Sequence, residues 1–258
     1  MPRLSIVTIT WNDSEGLVRT RDSLPGRGFE WIVIDGSTET LSQDKNNEAL
    51  YGREVIHVQE PDSGRFHAMN KGLDLASGEI ICFLNSGDTF QSKEVVEKVV
   101  NSFDSLGWLW AVGNTKAING QGDTLWNWPM PRHNSLKLKV GVNSYCHQAT
   151  FVQVEELRAM KGFEENSLYS DWALSLRLSK MVRPHLLGFD TTFFLTNGIS
   201  SQQTIDYWRR ESQRLRVTHN SLILNSTIID RSLQYLAAKF ISSTRGQLIR
   251  PDLVKKYS

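Results

Sequence analysis

Short apolar runs alternate with segments of helical apolar spacing along residues 1–90. Each run is rich in Val, Ile and Leu and is bounded by polar or turn-forming residues, which is typical of strands buried on both faces of a sheet. Alternation of such strands with helices indicates parallel β-α-β units. The pattern therefore predicts an α/β fold with a Rossmann-like, mostly parallel central sheet flanked by helices, with strands at residues 4–10, 30–35, 54–58 and 79–84.

Three helices are predicted from the spacing of apolar residues and from the residues at the helix ends. Residues 14–24 form the first, because Asn12, Asp13 or Ser14 can cap its start and Pro25 and Gly26 end it. Residues 68–76 form a shorter helix that a Ser-Gly pair terminates. Residues 92–103 read as an amphipathic helix after the fourth strand.

The sequence pattern changes after Asp88, where the regular alternation gives way to turn signals and strand-like pieces. From residue 205 onward the pattern is helical. We therefore predict one α/β domain over residues 1–204, divided near residue 90, and a helical C-terminal extension over residues 205–258. A group of tryptophans in the middle region is expected to pack a core on paired strands, with a sugar-stacking platform as the alternative: Trp108, Trp110, Trp126 and Trp128.

The composition is that of an ordinary globular protein. The chain has 258 residues, 40% of them hydrophobic and 22% charged, and a formal net charge of +1. Such a balance does not favour nucleic acid as a partner. The C-terminal extension differs, because it holds ten Lys and Arg against four Asp and Glu, an excess of six positive charges. We expect either a solvated helical appendage or a basic amphipathic contact with an anionic membrane, and contact within a homodimer is a further alternative.

Two cysteines, Cys82 and Cys146, are too few for a disulfide framework. A cytoplasmic location is therefore expected, with peripheral contact at the inner face of the membrane as the variant that the basic extension suggests. The N-terminal sequence lacks the pattern of a signal peptide, and no apolar run approaches the length of a membrane-spanning helix.

Polar residues stand at the ends of three predicted strands, and ligands bind at the carboxyl ends of parallel strands. Asp35, followed by Gly-Ser-Thr, can direct its carboxylate at the hydroxyls or the imide of a nucleoside, or it can form a turn without any ligand. Asp88 ends the fourth strand and can coordinate a divalent cation that neutralises a diphosphate, or it can cap the next helix. Thr10 and Trp11 end the first strand.

Four stretches resemble family 2 glycosyltransferases of the GT-A fold, in particular the branch of bacterial polysaccharide biosynthesis. The order and spacing of the stretches carry the resemblance, which extends from about Leu4 to Ser200. The stretches are FEWIVIDGST at residues 29–38, AMNKG at 68–72, GEIICFLNSGD at 78–88 and CHQA at 146–149.

The resemblance implies inverting transfer of a sugar from a nucleotide-diphospho-sugar to a hydroxyl of a saccharide or lipid-linked acceptor, in building a cell-surface polysaccharide or glycolipid. Residues 1–90 would form the nucleotide-binding half and residues 91–204 the acceptor half. The resemblance also implies a Mn²⁺ or Mg²⁺ ion held by Asp88, as part of the family's Asp-x-Asp motif. The other positions implied to contact the donor are Thr10, Trp11, Asp35, Asn70, Lys71, Ser86 and Gly87.

Three positions depart from the family pattern. Asn85 and Gly87 stand where many relatives have acids, so the site offers one strong carboxylate and would depend on the diphosphate and water for further ligands. His67 stands where many relatives have Asp, and it could donate to a phosphate when protonated. Lys71 could meet a phosphate as a point charge, or it could be a solvated helix residue.

A second candidate site lies at Asp171, where residues 169–172 precede a helical run and resemble the family stretch that carries the catalytic base. A carboxylate near the acceptor hydroxyl would take its proton during the transfer. Asp171 could instead cap the helix, and the two roles are compatible. His147 and Gln148 are either a buried polar pair or contacts to the acceptor or diphosphate, and residues 197–200 resemble a family turn near the active site.

The alternative among enzymes is a nucleotidyltransferase or a dinucleotide-using enzyme on a similar sheet. The first strand is not followed by Gly-x-Gly-x-x-Gly, and the chain lacks Gly-x-x-x-x-Gly-Lys-Ser/Thr, so neither a dinucleotide-binding fingerprint nor a phosphate-binding loop is present. From a different class, a catalytically silent nucleotide-binding or scaffold protein with the same fold is the alternative that Asn85 and Gly87 encourage.

Overall fold

The four strands predicted in the first part of the chain are present, and two have the predicted bounds. These are β1 (Leu4–Thr10) and β2 (Glu30–Asp35), whereas β3 (Ile56–Gln59) and β4 (Ile80–Phe83) are shifted or shorter. The four strands are mutually parallel in the order β3-β2-β1-β4. β1 lies between β2 and β4, so the segments that follow these three strands emerge at one edge of the sheet.

The helices between these strands differ more from prediction. α1 (Ser14–Ser23) begins as expected, because the Asp13 side chain caps it by accepting from the Gly16 N–H at 3.0 Å. α2 (Thr40–Leu50) was not predicted, since few of its residues are apolar and no side chain caps its start. α3 (Arg65–Leu75) begins earlier than predicted and α4 (Val95–Leu106) later.

The remaining strands extend the same sheet. β4 pairs antiparallel with β8 (Thr150–Gln153), which pairs antiparallel with β6 (Trp110–Ile118). β6 in turn pairs in parallel with β9 (His185–Leu195). The predicted α/β fold with a mostly parallel central sheet and flanking helices is confirmed. The other elements here are β5 (Thr89–Phe90), β7 (Thr124–Trp128), a 3₁₀ helix (His147–Ala149) and α6 (Val154–Ala159).

The core lies on both faces of the parallel strands, as their nearly continuous apolar sequences require. α3 packs directly on β1, and a Cβ at position 72 would overlap the Val7 side chain, so Gly72 permits this close approach. Trp110 is fully buried and Trp108 nearly so, which agrees with the predicted core role for these two side chains.

The structure is a computed structural model that describes residues 2–128, 135–140, 145–196, 205–222, 229–230, 232–233 and 235–236. The chain forms two compact units. The first comprises Met1–Met130, Cys146–Glu165 and Pro184–Leu195, and the second comprises Pro131–Tyr145, Asn166–Arg183 and Thr196–Ser258. The domain boundaries predicted near residues 90 and 204 stay predictions, and residues 197–200 lie outside the described part.

The second unit contains α5 (Ser135–Lys139), α7 (Ser170–Met181) and α8 (Ile205–Thr218). A fully buried ion pair joins Arg216 of α8 to Asp230, with Arg216 Nε 2.8 Å from Asp230 Oδ1. Arg216 also donates to the carbonyl of Lys139 at 3.0 Å, so α8 is held to α5. Among the residues that the structure describes, no helix combines the length and apolar character needed to cross a bilayer.

Candidate functional site

The ends of β1 and β2 lie side by side, with Thr10 paired to Asp35 in register. The Gly36 N–H donates to the Thr10 carbonyl at 3.0 Å, and the Asn12 N–H donates to Ser37 Oγ at 2.8 Å. Thr10 itself is buried, whereas the Trp11 side chain that follows it is 67% exposed. The two strand ends therefore form one bonded surface beside a large aromatic ring that is open to solvent.

The Asp35 carboxylate is fully buried beneath this surface. Its Oδ1 accepts from the Ser37 N–H at 2.9 Å and its Oδ2 from Asn46 Nδ2 at 2.9 Å, while His57 Nε2 lies 3.7 Å from Oδ2. Burial raises the pKa of Asp35, but the interactions with His57, Ser37 and Asn46 outweigh this and lower it to about 2. An ionised Asp35 therefore organises the turn, which is the second sequence interpretation; its direct contact with a nucleoside stays a prediction.

Residues 85–88 form a tight turn at the end of β4, closed by the Asp88 N–H, which donates to the Asn85 carbonyl at 3.0 Å. Gly87 has a φ of +90°, the positive value that the third residue of a type II turn requires. A Cβ at this position would also lie 3.2 Å from Leu195 Cδ2. The positive φ and the short distance to Leu195 both favour glycine at position 87.

The turn is fixed to the first strand and helix. The Ser86 N–H donates to the Ile9 carbonyl at 3.0 Å, and Ser86 Oγ donates to Asp13 Oδ2 at 2.8 Å. Asp13 is thus both the cap of α1 and an anchor of the turn. This second role was missed in the sequence, where Asp13 carried only a local capping signal.

Asp88 is 4% exposed, and a nitrogen donor holds each of its carboxylate oxygens. Leu195 N–H donates to Oδ1 at 2.9 Å and Gln148 Nε2 donates to Oδ2 at 2.8 Å. Burial raises the pKa of Asp88 to about 6 despite the lowering effect of these hydrogen bonds, and the nearby Asp13 carboxylate also raises it. The carboxylate is therefore fixed in orientation, and nothing in these contacts supports the alternative role as a cap of the next helix.

The donor atoms near Asp88 suit a hard divalent cation, although they are few. Within the described ranges, no group of three or more His, Cys, Asp or Glu side chains could hold a metal ion. Each Asp88 oxygen keeps a second lone pair, and Asn85 Oδ1 is buried without a hydrogen-bond partner among the described residues. Carboxylate and amide oxygens are ligands that Mg²⁺ and Mn²⁺ accept. Asp88 and Asn85 could therefore supply part of the coordination of such an ion.

Three more positions from the sequence analysis lie on helix α3. Asn70 and Lys71 were predicted to contact the donor, and His67 departs from the family pattern. The Asn70 amide donates to the Phe163 carbonyl and accepts from the Phe163 N–H, both at 2.9 Å. Lys71 Nζ lies 2.7 Å from Glu60 Oε1, and His67 Nδ1 accepts from the Ser63 N–H at 2.9 Å. Asn70 and Lys71 therefore have intramolecular partners, and their contact with a nucleotide stays a prediction.

Asp171 lies in the second unit, in the first turn of α7. Its Oδ1 accepts from the Trp172 N–H at 2.8 Å, so it satisfies one amide at the helix start. The cap position itself is Tyr169, which makes no side-chain capping bond. The role of Asp171 as a base stays a prediction.

Comparison with known proteins assigns the family. The profile described as "Glycosyl transferase family 2" matches residues 5–158. An uncharacterized glycosyltransferase of Mycobacterium tuberculosis is 30% identical over 213 residues, which are 78% of either chain. The amylovoran biosynthesis glycosyltransferase AmsB of Erwinia amylovora is 23% identical over 192 residues, which cover 69% of this chain and 64% of AmsB.

Two solved structures show the same fold. S. aureus TarS 1–349 in complex with UDP-GlcNAc has a TM-score of 0.64 at 17% identity, covering 100% of this chain and 74% of that one. Mannosyltransferase PcManGT from Pyrobaculum calidifontis, in complex with GDP-Man and Mn²⁺, has a TM-score of 0.57 at 15% identity, covering 97% and 73%. This chain belongs to glycosyltransferase family 2 and has the GT-A fold.

Proposed function

We propose that this protein transfers a hexose from a nucleotide-diphospho-sugar to a hydroxyl of a saccharide or lipid-linked acceptor, with inversion. The observation that carries the proposal is the common edge at which β1, β2 and β4 end, where exposed Trp11, the Asp35 turn and the fixed Asp88 carboxylate occur together. The nucleotide sugars in the TarS and PcManGT complexes support this class of donor. The name of the Erwinia relative supports polysaccharide or glycolipid biosynthesis in a bacterium.

The residues at this edge would divide the work of binding the donor. The Trp11 indole can stack on the nucleobase, while Thr10 and the Asp35 turn hold the strand ends in place. Ser86 holds the turn of residues 85–88 against β1 and Gly87 holds it against α1, which fixes the position of Asp88 relative to the donor. Asn70 and Lys71 would approach the donor only after exchanging their present partners.

A divalent ion would be held by Asp88 and the Asn85 amide oxygen. When bound, the ion supplies positive charge that stabilises the departing nucleoside diphosphate. The chain's own contribution is to hold the carboxylate in one orientation and to exclude water around it, since Asp88 is nearly inaccessible. Metal affinity in the absence of nucleotide is expected to be weak, because one carboxylate is a small donor set.

Asp171 is the proposed base for the acceptor hydroxyl. Its carboxylate is partly exposed, it belongs to the first turn of α7, and the family resemblance of residues 169–172 supports the role. Taking the proton as the bond to the anomeric carbon forms would favour attack opposite the leaving group.

The proposed partner at the second unit is an anionic membrane surface that carries the acceptor. The C-terminal ends of α7 and α8 meet where Lys180 Nζ donates to the His219 carbonyl at 3.0 Å. Exposed Met181, Val182 and Val217 lie near these ends, and the extension has an excess of basic residues. Apolar side chains flanked by cations suit the headgroup region of an anionic bilayer.

Vesicle co-sedimentation tests this partner. The protein should bind vesicles that contain phosphatidylglycerol and not vesicles of phosphatidylcholine, and a Met181→Glu/Val217→Glu variant should lose the binding. Leu106→Glu is the matched control, because Leu106 is also exposed but lies in the first unit. Equal binding by both variants, or a concentration-dependent mass indicating a dimer in place of lipid binding, would overturn the membrane assignment.

Calorimetry with UDP, GDP and dTDP, each with and without Mn²⁺, tests the donor site. At least one nucleotide should bind, and Mn²⁺ should raise its affinity. If none binds with metal present, the enzyme assignment fails and a scaffold role remains. If a nucleotide binds but no donor sugar is turned over with a panel of saccharide and lipid-linked acceptors, the silent nucleotide-binding alternative is favoured.

A further inference from the structure

The 3₁₀ helix of residues 147–149 contacts both ends of the turn formed by residues 85–88. His147 Nε2 lies 3.1 Å from Asn85 Nδ2, and Gln148 Nε2 lies 2.8 Å from Asp88 Oδ2. All of these residues belong to the first unit. Two consecutive side chains therefore hold the two residues of the turn whose oxygen atoms fit a cation.

The orientation of the Gln148 amide is determined by its neighbours. Its Nε2 must face Asp88, because a carboxylate accepts hydrogen bonds and does not donate them. Its Oε1 accepts from the Cys146 thiol at an Sγ to Oε1 distance of 2.8 Å. Burial raises the pKa of Cys146 to about 12, so the thiol keeps its proton and remains a donor. A flipped amide would lose both contacts.

The Cys146 end of this chain of hydrogen bonds is itself fixed. Thr150 Oγ1 donates to the Cys146 carbonyl at 2.9 Å, and Gln148 and Cys146 are both buried. The other oxygen of Asp88 is held by the backbone of Leu195. Among the described hydrogen bonds, Gln148 is therefore the one side chain that donates to the Asp88 carboxylate.

We propose that Gln148 is a positioning residue that directs Asp88 toward the divalent cation of the donor complex, with Cys146 securing Gln148. The proposal rests on the proposed function, because it assigns a role at the same site. Groups that orient a metal-binding carboxylate are worth about 10- to 100-fold in metal affinity or activity. A glutamine that merely filled the core would stabilise the fold without affecting the coupling between metal and nucleotide.

The test is the ratio of nucleotide affinities with and without Mn²⁺, measured by calorimetry with UDP, GDP and dTDP. Gln148→Leu should reduce this ratio about tenfold or more and leave the metal-free affinity unchanged. Gln148→Glu keeps the shape of the side chain and places a second carboxyl against Asp88, so it should also reduce the ratio. Cys146→Ser keeps a donor and should retain the ratio, whereas Cys146→Ala should lower it.

Gln153→Leu is the matched control. Gln153 is in β8, directly after this segment, and its Nε2 donates to the Trp108 carbonyl at 3.1 Å, away from Asp88. This variant should lose some thermal stability and keep the full effect of Mn²⁺. Thermal melts of each variant identify any that do not fold, in which case Cys146→Ala and Cys146→Ser decide the question.

Two results would overturn the inference. One is an unchanged metal effect in the folded Gln148 and Cys146→Ala variants, and the other is an equal loss of affinity with and without Mn²⁺, which marks a structural role. Failure of the proposed function looks different, because the unaltered protein would then bind none of the three nucleotides with metal present.

Discussion

Ser86 donates a hydrogen bond to Asp13 at 2.8 Å, and this contact joins the turn after β4 to the start of α1. Asp13 also accepts from the Gly16 N–H, so one carboxylate caps the helix and anchors the turn. The position of Asp88 relative to the first strand and helix is therefore fixed by residues far apart in sequence. The backbone conformation of the turn of residues 85–88 can therefore be tested by substitution.

Restoring the family's acid at position 87 should be unfavourable. In Gly87→Asp or Gly87→Ala, the new residue would have to keep a backbone φ of +90°, and its Cβ would lie 3.2 Å from Leu195 Cδ2. We expect a loss of about 1–2 kcal/mol in the free energy of unfolding, because the left-handed conformation disfavours a Cβ. Urea denaturation measures the loss. Gly120→Ala is the control, since a Cβ there meets open space, and equal stability of the two Ala variants would contradict the prediction.

Trp11 should contribute to nucleotide binding but little to folding. Its side chain is 67% exposed, so Trp11→Ala removes few packing contacts. Stacking of an aromatic side chain on a base is worth about 1–3 kcal/mol, which is roughly a 5- to 150-fold change in affinity. Calorimetry should show weaker binding of the preferred nucleotide at an unchanged melting temperature.

Tyr51→Ala provides the control for Trp11, because Tyr51 is an exposed aromatic residue of the same unit. Trp11→Phe should recover part of the affinity, since it restores an aromatic face. Nucleotide affinity that is the same for Trp11→Ala, Tyr51→Ala and the unaltered protein would remove Trp11 from the donor site.

The sequence was sufficient where the signal is local. β1 and β2 were predicted to the residue because strands buried on both faces produce continuous apolar runs. α1 was predicted because Asp13 precedes it and Pro25 follows it closely. α2 was missed because its interior is mostly polar and its start lacks a capping side chain, so tertiary packing rather than periodicity determines it.

The candidate site was predictable only in part, because local sequence patterns do not encode contacts between residues that are far apart in the chain. Asp35 and Asp88 could be found because Asp35 ends β2 and Asp88 closes the turn that follows β4, and the fold brings strand ends to one edge. The contact between Gln148 and Asp88 joins residues that are 60 positions apart, and no local pattern encodes such a pairing. The Cys-His-Gln-Ala stretch was the available signal, and it could not show which side chain meets which end of the turn.

The ionised state of Asp35 should contribute to stability above about pH 4. Its pKa is lowered from 3.8 to about 2 in the folded protein, so the unfolded chain binds a proton first as the pH falls. The contribution is therefore fully present above the unfolded value and is lost as the pH falls through about 4 to 2. The shift corresponds to about 2 kcal/mol.

Urea denaturation at several pH values between 6 and 3 tests the role of Asp35, with Asp35→Asn as the comparison. The difference in unfolding free energy between the two proteins should be constant near neutrality and should narrow as the pH falls below about 4. Asp62→Asn is the control, because Asp62 is only partly buried. A difference that is independent of pH would show that Asp35 is not held ionised by its partners.

Asp171→Asn should abolish transfer while leaving nucleotide binding intact. The amide keeps an oxygen that can accept from the Trp172 N–H, so the start of α7 should remain satisfied and the melting temperature should change little. The amide cannot take a proton from the acceptor, and loss of a general base costs about 10²- to 10⁴-fold in rate. Turnover with the donor sugar and acceptor identified for the unaltered protein measures this loss.

Glu156→Gln is the matched control, since Glu156 is a first-turn acid of α6 in the other unit. This variant should retain full activity. The two roles predict different results for this variant. Full turnover by Asp171→Asn would leave Asp171 with the helix role alone, whereas a large loss of turnover with unchanged stability and nucleotide affinity would assign it to the proton transfer.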